Sequence, residues 1–242
     1  QAEDGIRDRS PSRGLGDVYK RQELKEEKDR SKKLENDHNV LVSTRNPDKF
    51  SGSNITTKKL ELDEDYDADW LPDILDGFIY LPGTINLRPF KGLTSEAFEK
   101  DFQINVTGAI NSLKAVLSRL SASGNASVVF FSTVAVQTGM PFHSSVAASK
   151  GAIEGLTRSL AAEFAPKIRV NAIAPSLVNT PLASKFLNNE SKIEKANERH
   201  PLGRIGNAKE IAQAAGFLLG PESSWMTGKV LQLDGGIGNL KT

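Results

Sequence analysis

The chain has 242 residues, 38% of them apolar, enough for one domain with a sizeable core. Its 31 basic and 30 acidic residues nearly cancel, which leaves no global electrostatic reason to expect a nucleic acid or a membrane as partner. The absence of cysteine excludes disulfides and thiolate metal sites, and His38, His143 and His200 lie too far apart in sequence for a ligand-spaced cluster. No apolar run approaches the ~18 residues of a membrane span, so a cytoplasmic protein is expected.

Residues 1–22 have no apolar periodicity. They resemble, residue for residue, a translated DNA-sequencing adaptor and are expected to be foreign to the fold. Glu23 to Glu35 is charged and helix-prone, and no glycine occurs between Asp17 and Ser51. His38 to Thr44 reads as a buried strand, followed by Arg45-Asn46-Pro47 as a turn. Ile55 to Leu62 is a third strand, and the acids around Asp63 read as a solvated loop. Gly77 to Gly83 is a strand running into a turn, and Phe102 to Leu120 is an amphipathic helix carrying Asn105.

The stretch from Phe130 to Lys150 organises the rest. It begins at the end of an apolar strand, Ala126 to Phe131, crosses a polar loop, and enters a helix near Ser144 or Ser145. Val146, Ala147, Gly151, Ile153, Leu156, Leu160 and Phe164 recur there at helical spacing. Ile168 to Pro175 is another buried strand, followed by Ser176 to Pro181. Leu182 to Arg199 is helical in part and suits a mobile lid. Ala208 to Leu219 is a helix, and Thr227 to Gly236 holds the last strand. Strands alternating with helices predict a parallel sheet with right-handed crossovers. Thr133 at a strand end and Lys150 on the following helix then face the crevice where open α/β sheets bind ligands.

Several of these segments, in this order, resemble the short-chain dehydrogenase/reductase family. They are the Thr133 to Lys150 region, the stretch around Asn105, Pro175 to Thr180, and Asp234-Gly235-Gly236. The resemblance covers about Asn39 to Ile237. It implies an α/β fold, a Rossmann-like doubly wound parallel sheet, in a single domain over residues 23–242. Relatives open with an apolar strand and a glycine-rich turn that holds the cofactor pyrophosphate. Both are expected to be missing here, and this truncation would leave neighbouring strands about two 4.8 Å spacings apart.

The resemblance also implies roles for individual residues. Arg45, just after the second strand, favours the 2′-phosphate of NADP, with NAD the alternative. Asp63 falls near the adenine. Leu81, Pro82 and Gly83 stand in a segment where relatives carry Asn-Asn-Ala-Gly and offer backbone contact to the cofactor. Pro175, Val178 and Thr180 belong to the segment that binds the nicotinamide amide and phosphates, with Ser176 replacing a glycine. Lys150 holds the nicotinamide ribose. Asn105 interrupts its helix, its backbone carbonyl holding a water that links to the lysine. Thr133 takes the place of the family's serine.

The tyrosine that relatives carry four residues before the lysine is Val146 here. In relatives it protonates the developing alkoxide, and losing a general acid costs roughly 10²–10⁴ in rate. His143, at the helix entrance, is the candidate replacement, because an imidazole titrates near neutral pH. Ser145 points about 100° away around the helix. The expected function is an NADP-dependent oxidoreductase acting on a small-molecule carbonyl or alcohol. The alternative is a catalytically impaired dinucleotide-binding protein with a structural or regulatory role. A third reading makes the truncated chain inert. Helices over 102–120 and 145–164 form a four-helix seam in the family, so a homodimer or homotetramer is expected.

Overall fold

The computed structural model describes residues 15–17, 38–50, 52–60 and 66–241. Two parallel sheets are bonded among the described residues: one of β1 (Leu15–Asp17), β2 (His38–Thr44) and β3 (Ile55–Lys59), the other of β4 (Gly77–Ile79), β5 (Ala126–Phe131), β6 (Ile168–Pro175) and, after a small side ladder, β9 (Val230–Leu233). That ladder pairs β7 (Val178–Asn179) with β8 (Gly206–Asn207). The sheets run β1-β2-β3 and β4-β5-β6-β9, and β1 lies close to β4 without pairing to it among the described residues.

The first strand is a departure from the sequence reading, which expected none and set residues 1–22 aside. Leu15, Gly16 and Asp17 pair with His38, Asn39 and Val40. Parallel pairing uses only backbone groups, so an extended segment can occupy a sheet position without supplying an apolar pattern. The pairing reaches only the first half of β2, whose Val40 to Thr44 pair on the other side with Ile55 to Lys59. The expected loss of the glycine-rich turn concerns residues outside those described.

Successive strand residues face opposite sides, and the two sides carry separate cores. Phe78, Val128, Phe130, Val170 and Ala172 pack with Leu113, Val116, Leu120 and Ile153. Ile79, Val129 and Ile173 pack with Ala215, Leu218 and Leu219. Helices thus cover both faces, as a doubly wound sheet requires. They are α1 (Ser95–Phe102), α2 (Gly108–Ser123), the short α3 (Ala135–Thr138), α4 (Ser144–Phe164), α5 (Glu190–Glu198) and α6 (Ala208–Leu219). Each large side chain removed from water in these clusters contributes about 1.5–3 kcal/mol.

Helix ends are closed by identifiable groups. Gly124, at φ 75°, stops α2 in a left-handed conformation that glycine adopts without strain. Asn207 and Glu210 form a capping box at the start of α6. At its other end, buried Arg169 donates to the carbonyls of Leu218, Leu219, Gly220 and Ser223 at 3.0–3.2 Å and to Ser223 Oγ at 2.8 Å. One guanidinium therefore satisfies the carbonyls that a helix terminus leaves open. Arg169→Met should lower unfolding free energy by about 2–4 kcal/mol in urea denaturation, because those buried carbonyls lose their donor.

Candidate active site

The site begins where α1 and α2 meet. The sequence suggested one helix over Phe102 to Leu120; instead a π-helical turn, Gln103–Thr107, separates the two. A π turn shifts bonding from i+4 to i+5, as in Gly108 N–H to Gln103 O, and leaves a carbonyl for other partners. Tyr80 takes it: its hydroxyl donates to Ile104 O at 2.7 Å. A Cβ at Gly108 would overlap that hydroxyl, so glycine is required for the phenol to reach. Burial pushes the Tyr80 hydroxyl well above its ordinary pKa, and it remains a neutral donor.

Asn105 sits inside the π turn with no exposed surface. Its Nδ2 donates to Thr84 Oγ1 at 2.9 Å and to Ser149 Oγ at 3.0 Å, while its Oδ1 accepts Thr84 N–H at 3.2 Å. Ser149 in turn donates to the Val146 carbonyl at 3.0 Å. The amide therefore clamps the loop after β4 to α4. At Gly83, a Cβ would lie 3.4 Å from Asn105 Oδ1 and 3.5 Å from Lys150 Nζ. Glycine leaves the space beside the lysine open, and the fold brings Gly83, Asn105 and Lys150 together.

Lys150 is 6% exposed, and no hydrogen bond or ion pair joins its ammonium to any group among the described residues. Burial alone pushes its pKa from 10.5 down to about 8. Leu81 and Pro82 are half-buried in the loop leading to Gly83.

Thr133 lies at the junction of β5 and β6. Ser132 N–H donates to Ile173 O and Val134 N–H to Pro175 O, which sets Thr133 beside Pro175 at the sheet's carboxyl end. Thr133 Oγ1 accepts Ala135 N–H at 3.3 Å at the start of α3. Ser132 donates to the buried carboxylate of Glu154 at 2.7 Å, tying this strand end to α4 one turn beyond Lys150. Val146 is buried on the same helix.

Other expected residues occupy the rim. Arg45 is exposed immediately after β2. Val178 lies in the side ladder, and half-buried Thr180 precedes the 3-10 turn Pro181–Phe186. Asp63 lies outside the described residues. His143 caps α4 and shares a 2.7 Å bond between Nδ1 and Pro141 O; a carbonyl only accepts, so Nδ1 carries the proton. Phe142 beside it has φ 70°, unusual for a bulky residue. The segment read as a lid crosses to the Gly83 loop through Lys185 Nζ and Ile85 O at 3.1 Å.

Two features escaped the sequence reading. Ser176 Oγ lies 2.8 Å from His200 Nε2, and His200 Nδ1 lies 2.7 Å from Ala196 O. The side chain that replaces the family's glycine is thus held by the end of α5. Ser145 is buried without a hydrogen-bond partner for its hydroxyl. It lines a cavity of about 420 Å³ with Phe98, Phe102, Gln103, Ala148 and Ser149, between α1 and α4.

The two parallel sheets with helices on both faces define a Rossmann-type α/β domain. The comparisons narrow the class. A family model described as Enoyl-(Acyl carrier protein) reductase matches residues 63–238. A tropinone reductase homolog from Arabidopsis thaliana is 38% identical over 156 residues, 64% of this chain and 60% of its own length. The 3-oxoacyl-[acyl-carrier-protein] reductase FabG of Thermotoga maritima is 35% identical over 182 residues, 71% of this chain and 73% of its own length. Among solved structures, the RhlG/NADP active-site complex of Pseudomonas aeruginosa superposes with a TM-score of 0.79 at 26% identity, covering 85% of this chain and 88% of that one. A short-chain dehydrogenase/reductase from Brucella melitensis gives 0.76 at 26% identity, covering 83% and 86%. The chain belongs to the short-chain dehydrogenase/reductase family. It spans about 60% of the length of the tropinone reductase homologs it matches.

The uncompensated lysine has a measurable consequence. Its cost to stability is fully present below pH 8, where both folded and unfolded chains carry the proton. Between about pH 8 and 10.5 the folded chain gives up a proton that the unfolded chain keeps, so this group's contribution to stability rises with pH. Lys150→Met should raise unfolding free energy at pH 7 by about 1–3 kcal/mol and flatten that rise, measured by denaturant titration at pH 7 and pH 10.

Proposed function

We propose that this chain is an NADP-dependent oxidoreductase that interconverts a small-molecule carbonyl and its alcohol. One observation carries the reading: a buried, unpartnered lysine is held open-handed against Gly83 by the Asn105 clamp. Ionised groups are rarely enclosed without a partner unless a ligand supplies one. A nicotinamide ribose, rich in hydroxyl acceptors, suits that ammonium, and the missing side chain at Gly83 suits close approach of a cofactor. NADP would supply the hydride chemistry when bound.

Within that reading Lys150 binds the ribose, and the backbone at Leu81, Pro82 and Gly83 forms one wall. Pro175, Val178 and Thr180 form the opposite wall. Thr133 offers a hydroxyl to orient the substrate oxygen, and Asn105 fixes Lys150's surroundings. Arg45, exposed at the end of β2, supports the choice of NADP. The bound NADP named for the RhlG complex, a relative at 26% identity, points the same way. His143 stands as a candidate for proton handling at the helix entrance. A homodimer or homotetramer is proposed through the helices over 102–120 and 145–164, a seam at whose edge Phe102 is exposed. A cytoplasmic location accompanies the proposal; among the described residues no helix is long and apolar enough to cross a membrane.

Val146 favours a second reading, a dinucleotide-binding protein with little or no turnover and a structural or regulatory role. NADPH oxidation followed at its near-ultraviolet absorbance with a panel of ketones and aldehydes separates the two. Turnover supports the oxidoreductase, and fluorescence-detected binding without turnover supports the second reading. Arg45→Asp should weaken NADPH binding about 10- to 100-fold and leave NADH binding equal or tighter, read by fluorescence titration. Val146→Tyr should raise ketone reduction by about 10²-fold or more; a flat rate with intact cofactor binding would show that the missing phenol was not the limit.

A further inference from the structure

Reduction of a carbonyl needs a proton as well as a hydride, and Val146 has none to give. Among the described residues around it, Ser145, Ser149, His143 and Lys150, on α4 or at its cap, carry exchangeable protons. Ser145 has no hydrogen-bond partner, but it lines the cavity between α1 and α4 beside Phe98 and Phe102. Ser149 donates its own to the Val146 carbonyl at 3.0 Å. His143, half-buried at the helix entrance, commits Nδ1–H to Pro141 O at 2.7 Å. Lys150 lies one turn beyond Val146 on the same helix face, is enclosed, and donates to no group among the described residues.

Resting on the oxidoreductase reading above, we propose that Lys150 is itself the acid: besides holding the ribose, it protonates the developing alkoxide through one water seated where relatives carry the phenol ring. That ring exceeds an isopropyl group by more than the ~30 Å³ share of one water in the liquid. With NADPH bound, the cofactor would supply the hydride for the new C–H bond at the carbonyl carbon and would itself be oxidised. The carbonyl π pair would become an oxygen lone pair; that oxygen would take a proton from the water, and the water one from Nζ. Lys150 would be left as a neutral amine and would regain its proton from solvent.

The surroundings suit an ammonium that gives up its proton. Desolvation brings Lys150 down to about 8, close to working pH, where a proton donor is most effective. Two other titratable groups flank it. Tyr80, from the loop side, has its hydroxyl bonded to Ile104 O. Glu154, one turn further along α4, accepts from Ser132 and lies 3.9 Å from Arg158. Neither pairs with Nζ, and the π turn contributes the neutral Asn105. Among the described residues no carboxylate therefore pairs with Nζ to hold the lysine charged, as one would if the residue served only as a fixed cation.

The test uses Lys150→Arg, which keeps the positive charge and donors but does not titrate in the working range. The wild-type rate of carbonyl reduction should fall as pH rises through about 8. Lys150→Arg should bind NADPH within a few-fold of wild type by fluorescence, turn over at least 10²-fold more slowly at pH 7, and lose that pH limb. Lys150→Ala should regain part of its turnover when methylamine is added. In the cofactor-free protein labelled with ¹³C at lysine Cε, one resonance absent from Lys150→Arg should titrate near 8.

Unchanged turnover and an unchanged limb in Lys150→Arg would overturn the proposal. So would loss of the limb in His143→Gln, which would assign the acid to His143. A wild-type protein that binds NADPH but reduces nothing in the panel defeats the oxidoreductase reading itself, an outcome distinct from either of these.

Discussion

The candidate site depends on a buried amide. Asn105 makes three hydrogen bonds, two with Thr84 and one with Ser149, and no water competes for them because its surface is fully covered. Those bonds join a loop from the sheet to a helix packed against it, fixing how closely Gly83 approaches Lys150. Buried polar networks specify one arrangement because a half-satisfied alternative costs more than the network gains. The π turn brings the amide into this position, and it persists because Tyr80 and Gly108 accommodate it. The phenol satisfies the carbonyl that the turn releases, and the glycine yields the space the phenol needs.

Against that background the lysine stands out energetically. Arg169 is buried too, but its guanidinium is surrounded by carbonyls. Glu154 is buried and accepts from Ser132; Asn171 donates to Met226 O and accepts from Lys229 N–H. Lys150 alone among these buried groups has its charged end left without a protein partner. A fold selected for stability would place an aliphatic residue there, since removing an unpaired charge from the interior is favourable. Retaining the lysine is the pattern of a site that gives up stability for binding or chemistry.

Much of this was legible in the residues and some was not, for separate physical reasons. The strands β2, β5 and β6 were legible because buried parallel strands are continuous apolar runs. Lys150's position relative to residue 146 followed from the four-residue spacing, which a helix turns into adjacency. Periodicity alone hid the π turn, because one inserted residue shifts the helical phase without breaking the apolar pattern on either side; only the family resemblance, in which Asn105 interrupts its helix, pointed to it. Tyr80 carried no sequence signal of its role; only three-dimensional proximity to Ile104 gives its hydroxyl a purpose. The Ser176 and His200 contact joins residues 24 positions apart, with no periodicity to announce it. β1 was missed because pairing through the backbone alone leaves little trace in side-chain pattern, and Leu15, Gly16 and Asp17 hold their place by pairing with β2.

The substitution at residue 146 is best understood by asking what in the scaffold uses that side chain. The helix beneath it is fixed by the Asn105 to Ser149 bond, and Ser149 reaches the backbone carbonyl of Val146 rather than its side chain. The strand end opposite is fixed by the backbone bonds of Ser132 and Val134 and by the Ser132 hydroxyl on Glu154. Neither wall of the crevice depends on a phenol. An isopropyl group at this buried position adds apolar packing and offers no proton, and it leaves the arrangement of Gly83, Asn105 and Lys150 in place. In the proposed oxidoreductase, binding and proton delivery are therefore separable. The first would follow from backbone, glycine and a buried amide; the second would fall to a protonated group elsewhere in the crevice.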